Sequence, residues 1–297
     1  MIWLLLSFIH APLFCRCQCI DEIVLASLCC QGSVLKDNCV ILMFQCVWIS
    51  FIVRVQKYLA SQQAGSRRCI EDWIRTGKLC VNGKAVDLGA QVNPNDVITY
   101  QRQRWVVAFK HREVEVICYN KPLGRVCAHR DPENRPLVYM DLPECSAGAW
   151  LPVGRLDINS TGLLLFTNRG DWAAAMMHPS ANWQRCYRVR VFGKLDASML
   201  LRLQQGVRLD GQMCRFSTLR VLGEKQTGNN HWIEVSLSSG KYRMVRRMWS
   251  AVGMQVNRLH RFAFGPITLP KSVRHGDCSR LKSADLQVIA KQLKLSL

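Results

Sequence analysis

Acidic residues are scarce in this chain. Its 297 residues carry 21 Asp and Glu against 40 Lys and Arg, a formal net charge of +19. Charge that far from zero points to a polyanionic partner, although the excess alone does not separate RNA from DNA or from an anionic membrane surface. The phosphate cradles of nucleotide cofactors are missing too, since neither a P-loop nor a GxGxxG fingerprint occurs. Fifteen cysteines are present, yet no two form a CxxC pair, so the spacing rules for zinc are not met. Beyond residue 53 there is no apolar stretch long enough for a membrane-spanning helix. These absences weigh against chemistry built on a resident metal or a nucleotide cofactor.

The charge is unevenly spread. Residues 1–53 hold Arg16 and Lys36 against Asp21, Glu22 and Asp37, which leaves 38 of the basic and 18 of the acidic residues to the rest of the chain. Seven cysteines also fall in the first 46 residues, while the other eight are scattered singly. The scattered set reads as reduced thiols used as small core residues. Residues 1–53 form an atypical apolar, Cys-rich extension. Met1–Phe14 lacks the basic region of a signal peptide, and Val40–Val53 is short for a membrane span and carries Gln45.

The body is organised around Val153–Gly170, VGRLDINSTGLLLFTNRG. Leu163–Phe166 is a short apolar run bounded by turn residues, which predicts a buried strand. Asp157 therefore sits at the mouth of a rigid element, beside Arg155, where a neighbouring cation favours a charged carboxylate. Downstream, Tyr187, Val189 and Val191 alternate with Arg188 and Arg190, as on a strand with one wet, basic face. Lys241–Val252 reads as a helix that places Arg243, Arg246 and Arg247 on one face. Such a cluster is costly unless something anionic meets it. Ala197–Gln205 and Ser283–Leu293 read as amphipathic helices.

GRLDxxxTGLLLxTxxG resembles the central motif of the ribosomal RNA pseudouridine synthases of type A, for small-subunit RNA, and type B, for large-subunit RNA. Gly223–Asn230, Val245–Gly253 and Val256–Pro270 resemble the type B branch in particular, and the likeness runs from about Val55 to Lys282. The resemblance implies that Asp157 is the catalytic residue and that Arg246 pairs with it. It implies that Tyr187 stacks on the target base, that Leu259 packs against the uracil and that Arg155 fills the space of the flipped base. Asn120–Gly124 (NKPLG) would be the family's first motif, which helps hold the catalytic loop. Lys121 is given a supporting role there and is grouped with the RNA-contacting cations Arg243 and Arg247. Met244 departs from the family, which usually has Glu or Gln at that position. No cofactor and no metal is expected. The implied partner is a hairpin of 23S ribosomal RNA, free or in a pre-ribosomal particle, with small-subunit RNA as the fallback. Family members usually begin near Val55, so residues 1–53 are expected to be non-native or disordered, with a membrane-associated extension as the alternative.

Val55–Tyr100 reads as a small unit of its own. It has two short helices, the second capped by Ser66 and closed by Gly77, then strands around the Asn82-Gly83 turn. That order, with Arg67 and Arg68 at a helix start and Lys78 after it, resembles an S4 RNA-binding domain. Cations beside free helical N–H groups suit phosphate. The expected plan is α+β: an S4-like domain over 54–100, a linker over 101–112 and a mixed, mostly antiparallel catalytic domain over 113–297. Three functions remain open on the residues: uridine isomerisation, a catalytically silent RNA-binding or ribosome-assembly role, and glycoside cleavage. The last normally needs a second nearby carboxylate. Asp171 is the candidate, and its place at a helix start suits capping better. A cytoplasmic monomer that does not touch a membrane is expected.

Overall fold

A computed structural model describes residues 53–109, 112–223 and 228–297. The extension over residues 1–52 lies outside the described residues, as does the centre of Gly223–Asn230. The chain divides into two compact units. One contains residues 53–58 and 71–109; the other contains 59–70 and the described part of 110–297.

In the first stretch, β1 (Val53–Arg54) leads into α1 (Val55–Ser61) and then α2 (Arg67–Arg75). Ser66 opens α2, its Oγ accepting from the Cys69 N–H at 3.2 Å. β2 (Leu79–Val81) and β3 (Lys84–Ala85) close around Asn82 and Gly83, with φ of 51° and 79°. Those positive values are what a tight hairpin turn demands, and Asn-Gly supplies them at low cost. β4 (Gln91–Val92) pairs with β1, and β5 (Val97–Tyr100) pairs with β2. The expected linker is corrected here, because β6 (Gln103–Val106) pairs antiparallel with β5. The chain reverses at Gln101 with φ of 52° and without a glycine, so no turn signal announced it.

The second unit follows with β7 (Val116–Lys121), β8 (Leu151–Val153), β9 (Thr161–Thr167), α3 (Gly170–Met177), β10 (Arg185–Phe192) and α4 (Ala197–Gln205). Then come β11 (Val207–Leu209), β12 (Gln212–Cys214), β13 (Thr218–Val221), β14 (Asn230–Leu237), α5 (Met244–Ser250), β15 (Gln255–Phe264), β16 (Ile267–Thr268), β17 (Cys278–Arg280) and α6 (Ser283–Leu293). A nine-stranded sheet runs β13-β14-β10-β15-β9-β7-β17, with β8 on β9 and β16 on β15. Every pairing in it is antiparallel except β9 with β15. The observed class is the expected α+β with a mixed, mostly antiparallel sheet.

β9 is apolar without a break because both of its faces are covered. Leu163 and Leu165 pack with Cys118, Trp172 and Ile289, while Leu164 and Phe166 pack with Tyr119, Leu156 and Trp249. β10 has one covered face: Tyr187, Val189 and Val191 join the second cluster, while Arg188 points outward. The expected helix over Lys241–Val252 is shorter than predicted. It begins at Met244 because Arg243 adopts a left-handed conformation, φ 46°, just before it. Positive φ at a non-glycine residue costs roughly 1–2 kcal/mol and is retained where the surroundings require it.

Candidate active site

The turn between β8 and β9 carries Asp157. Ser160 N–H donates to the Asp157 carbonyl at 3.0 Å and closes the turn. Its other support comes from Lys121, which is fully buried. The Lys121 ammonium donates to the carbonyls of Pro122 at 3.0 Å, Ile158 at 3.4 Å and Ser160 at 2.9 Å. The Gly124 N–H adds a bond to Ile158 O at 3.0 Å. Lys121 therefore cannot contact RNA, and its grouping with the RNA-binding cations is corrected: three carbonyls consume its donors beneath the surface.

Burial, partly offset by the Cys127 thiol and Asp157, pulls the Lys121 ammonium down to about 8 from its ordinary 10.5. Between those values the unfolded chain holds a proton that the folded chain has released, so this group's contribution to stability rises with pH across that window. Lys121→Met should cost about 2 kcal/mol at neutral pH by leaving buried carbonyls without a donor. Chemical unfolding at pH 8 and pH 10 should show wild type gaining on the variant as pH rises.

Two arginines flank the Asp157 carboxylate. Arg243 Nη1 lies 3.5 Å and Arg246 Nε 3.8 Å from Oδ2. The side-chain exposures of 12% for Arg246 and 26% for Asp157 make this a half-desolvated pair, where charge attraction exceeds that of a surface pair. Arg246 also donates to Val256 O at 2.9 Å and Asn159 O at 2.7 Å, tying α5 to β15 and to the Asp157 turn. Burial, then the charge of Arg243, lowers the pKa of Arg246, and Asp157 opposes that fall. A lysine cannot span these three directions. Arg246→Lys should therefore lower kcat by about 100-fold through misplacement of the carboxylate, with the fold retained, as turnover and melting measurements would show.

Arg243, Arg246 and Arg247 do not share one helix face. Arg243 precedes α5 and turns to Asp157, whereas Arg247 pairs with Asp210 at 2.6 Å. Asp171 does not face Asp157 in an acid pair; it is held by Arg169 at 2.6 Å in the first turn of α3. Tyr187 and Leu259 are buried, Arg155 is exposed, and all three line the cleft with Asp157 and Arg243. Arg67, Arg68 and Lys78 are exposed at the start of α2 and just after its end. Met244, the family departure, is buried in the cleft wall and accepts from Ser239 Oγ at 3.5 Å.

The sequence assigns no role to Arg185 or Arg261, yet both line the same cleft. Their guanidinium carbons stand 5.0 and 5.2 Å from the centre of the Phe264 ring. Arg261 is buried and donates from Nε to Leu163 O at 2.8 Å. The period of a strand would have found it, since Arg261 follows Leu259 by two residues. The cleft thus gathers Arg155, Arg185, Lys241, Arg243 and Arg261 around one carboxylate among the described residues. Cations outnumber the single acid in its lining. Among the described residues, no three His, Cys, Asp or Glu side chains gather to hold a metal ion, and no helix is long and apolar enough to cross a membrane.

Residues 115–251 match the family model for RNA pseudouridylate synthase, and residues 53–98 match the S4 domain. The "Ribosomal large subunit pseudouridine synthase B" of Salmonella typhi is 41% identical over 234 residues, covering 78% of this chain and 80% of that protein. The chain belongs to the RNA pseudouridylate synthase family. The synthase of the same name from Escherichia coli K12 is 39% identical over 245 residues, covering 82% of this chain and 84% of its own. A crystal structure of a pseudouridylate synthase superimposes with a TM-score of 0.56 at 25% identity, covering 80% of this chain and 99% of that one. In this pseudouridylate synthase, the residues between the S4 match and the catalytic match contain β6, so the first unit continues past the end of the matched segment.

Proposed function

We propose that the protein isomerises uridine to pseudouridine in large-subunit (23S) ribosomal RNA, with Asp157 as the catalytic carboxylate. The observation that carries this reading is the single cleft carboxylate, paired with Arg243 and Arg246 beside Tyr187 and Leu259. The relatives named as large-subunit synthases support the choice of RNA.

The reaction breaks the N1–C1′ bond of uridine, turns the uracil and joins C5 to C1′. The proton on C5 is released and N1 takes one up, so atoms balance and nothing is oxidised or reduced. Asp157 supplies a carboxylate at the C1′/C2′ edge of the ribose, and Arg243 and Arg246 hold it in place. Tyr187 offers an aromatic face to the loosened base, and Leu259 closes the apolar side. A base in a helix must leave its stack to reach such a cleft, and stacking on an aromatic offsets part of that cost. Arg155, exposed at the mouth, takes the space the flipped base vacates. Arg67, Arg68 and Lys78 on the S4 domain, together with Arg247, contact the phosphate backbone. The protein acts as a monomer in the cytoplasm, on free RNA or a pre-ribosomal particle.

The test maps pseudouridine across ribosomal RNA by carbodiimide modification and primer extension, in a strain lacking the gene and complemented with wild type or Asp157→Asn. Loss of one large-subunit mark, restored by wild type alone, is the expected outcome. A mark restored by Asp157→Asn removes Asp157 as catalyst. No change at any site moves a silent RNA-binding role to the front.

A further inference from the structure

The catalytic cleft uses one face of the β13-β14-β10-β15 half of the sheet. Tyr187, Val189 and Val191 point to that side, so Arg188 and Arg190 point to the other. On this second face, Arg188 stands over the Phe262 ring at 5.8 Å and Arg190 over the Trp232 ring at 6.0 Å. Among the described residues, these four strands contribute one carboxylate, Glu234, which is shared by Arg188 at 2.8 Å and Arg220 at 2.6 Å.

Arg190 and Arg258 sit directly opposite each other across β10 and β15. Like charges in that relation are destabilising. Neither has a carboxylate within ion-pair distance among the described residues, and the buried Arg190 Nε has no hydrogen-bond partner there. A solvated basic face would spread its charges and hide its aromatics. This one stacks guanidinium groups on half-exposed rings and leaves two arginines waiting for an anion.

We propose that this outer face of the sheet is a second RNA-binding surface, which takes a single-stranded segment flanking the target. Phosphates neutralise the Arg190–Arg258 pair, and bases stack on the Trp232 and Phe262 layer; single-strand sites combine those two features. The proposal rests on RNA being the substrate, and it places a contact on the face of the sheet away from Asp157.

The test uses the full chain and a fluorescent 20-mer of cytidine, which offers the cleft no uracil. Binding is measured by anisotropy for wild type, for Arg190→Gln/Arg258→Gln and for a control of equal charge loss on α6 and its cap, Lys291→Gln/Lys294→Gln. The arginine pair should weaken binding about tenfold and make the slope of log K against log salt shallower by roughly 1.4, as expected for two phosphate contacts on a single strand. The control should stay near wild type. Equal losses in both doubles, or no loss in the arginine double, would overturn the proposal. Melting temperatures are recorded for each protein, and a fall confined to the arginine double, together with an unchanged salt slope, also overturns it. If the arginine double loses binding while wild-type protein makes no pseudouridine, the surface stands and the proposed reaction falls.

Discussion

Asp157→Asn should leave a folded protein that binds RNA and turns over at least roughly 10³-fold more slowly. The substitution keeps the shape of the side chain, and its amide oxygen can still face Arg243 and Arg246, which approach at 3.5 and 3.8 Å. What it removes is the negative charge and the basicity that the proposed role at the ribose requires. Because C5 loses its hydrogen in the reaction, release of tritium from 5-tritiated uridine in the RNA reports turnover directly. Equal tritium release from the variant and wild type would sink the assignment of Asp157. RNA affinity within a few-fold of wild type separates a chemical defect from a binding defect. The melting temperature should hardly move, since the exchange removes no bond that closes the turn: that bond is made by the Asp157 backbone carbonyl to Ser160.

Gly162→Ala should have the largest effect on stability. Gly162 has φ of +99°, and a Cβ built on it would stand 2.2 Å from the Arg261 carbonyl oxygen and 2.9 Å from its nitrogen. Arg261 and Gly162 are register partners in the parallel β9–β15 pair. Backbone rather than a flexible side chain blocks the methyl group, so β9 and β15 would have to part where the Asp157 turn and Leu259 meet. Overpacking of this kind, together with positive φ at an alanine, should cost about 3–4 kcal/mol. For a unit of this size that is a fall in Tm of roughly 10 °C. Calorimetry would check it, and a variant melting within about 2 °C of wild type would show that the strands part more cheaply than the contact distances imply.

The strand that holds this glycine also shows where sequence reading succeeds. The apolar run Leu163–Phe166 reads as a buried strand and forms one, although β9 already begins at Thr161, inside the expected turn. The same holds for the Asn82-Gly83 hairpin, for α4 and for α6, because each is set by chemistry local to a few residues: positive φ, alternation or helical spacing. The placement of Asp157 at the mouth of β9 belongs to this class as well.

Turns built without the usual residues were not legible. β6 was hidden because Gln101 takes a positive φ that its sequence does not advertise. The start of α5 was hidden because Arg243 takes the same kind of conformation for the sake of its contact with Asp157. Gln101 is held by the pairing of β5 with β6 and Arg243 by a residue far away in sequence, each against local backbone preference.

By itself, then, the sequence determined the elements whose signals are local, the basic character and the one carboxylate around which the cleft is built. Only the tertiary structure decided what each cation does. Lys121, Arg243 and Arg247 look alike along the chain. Lys121 is sealed under the Asp157 turn with three carbonyls, Arg243 faces the carboxylate, and Arg247 is turned outward to Asp210. A positive charge takes its function from its burial and its partners, and those are fixed by strands and helices far apart in sequence.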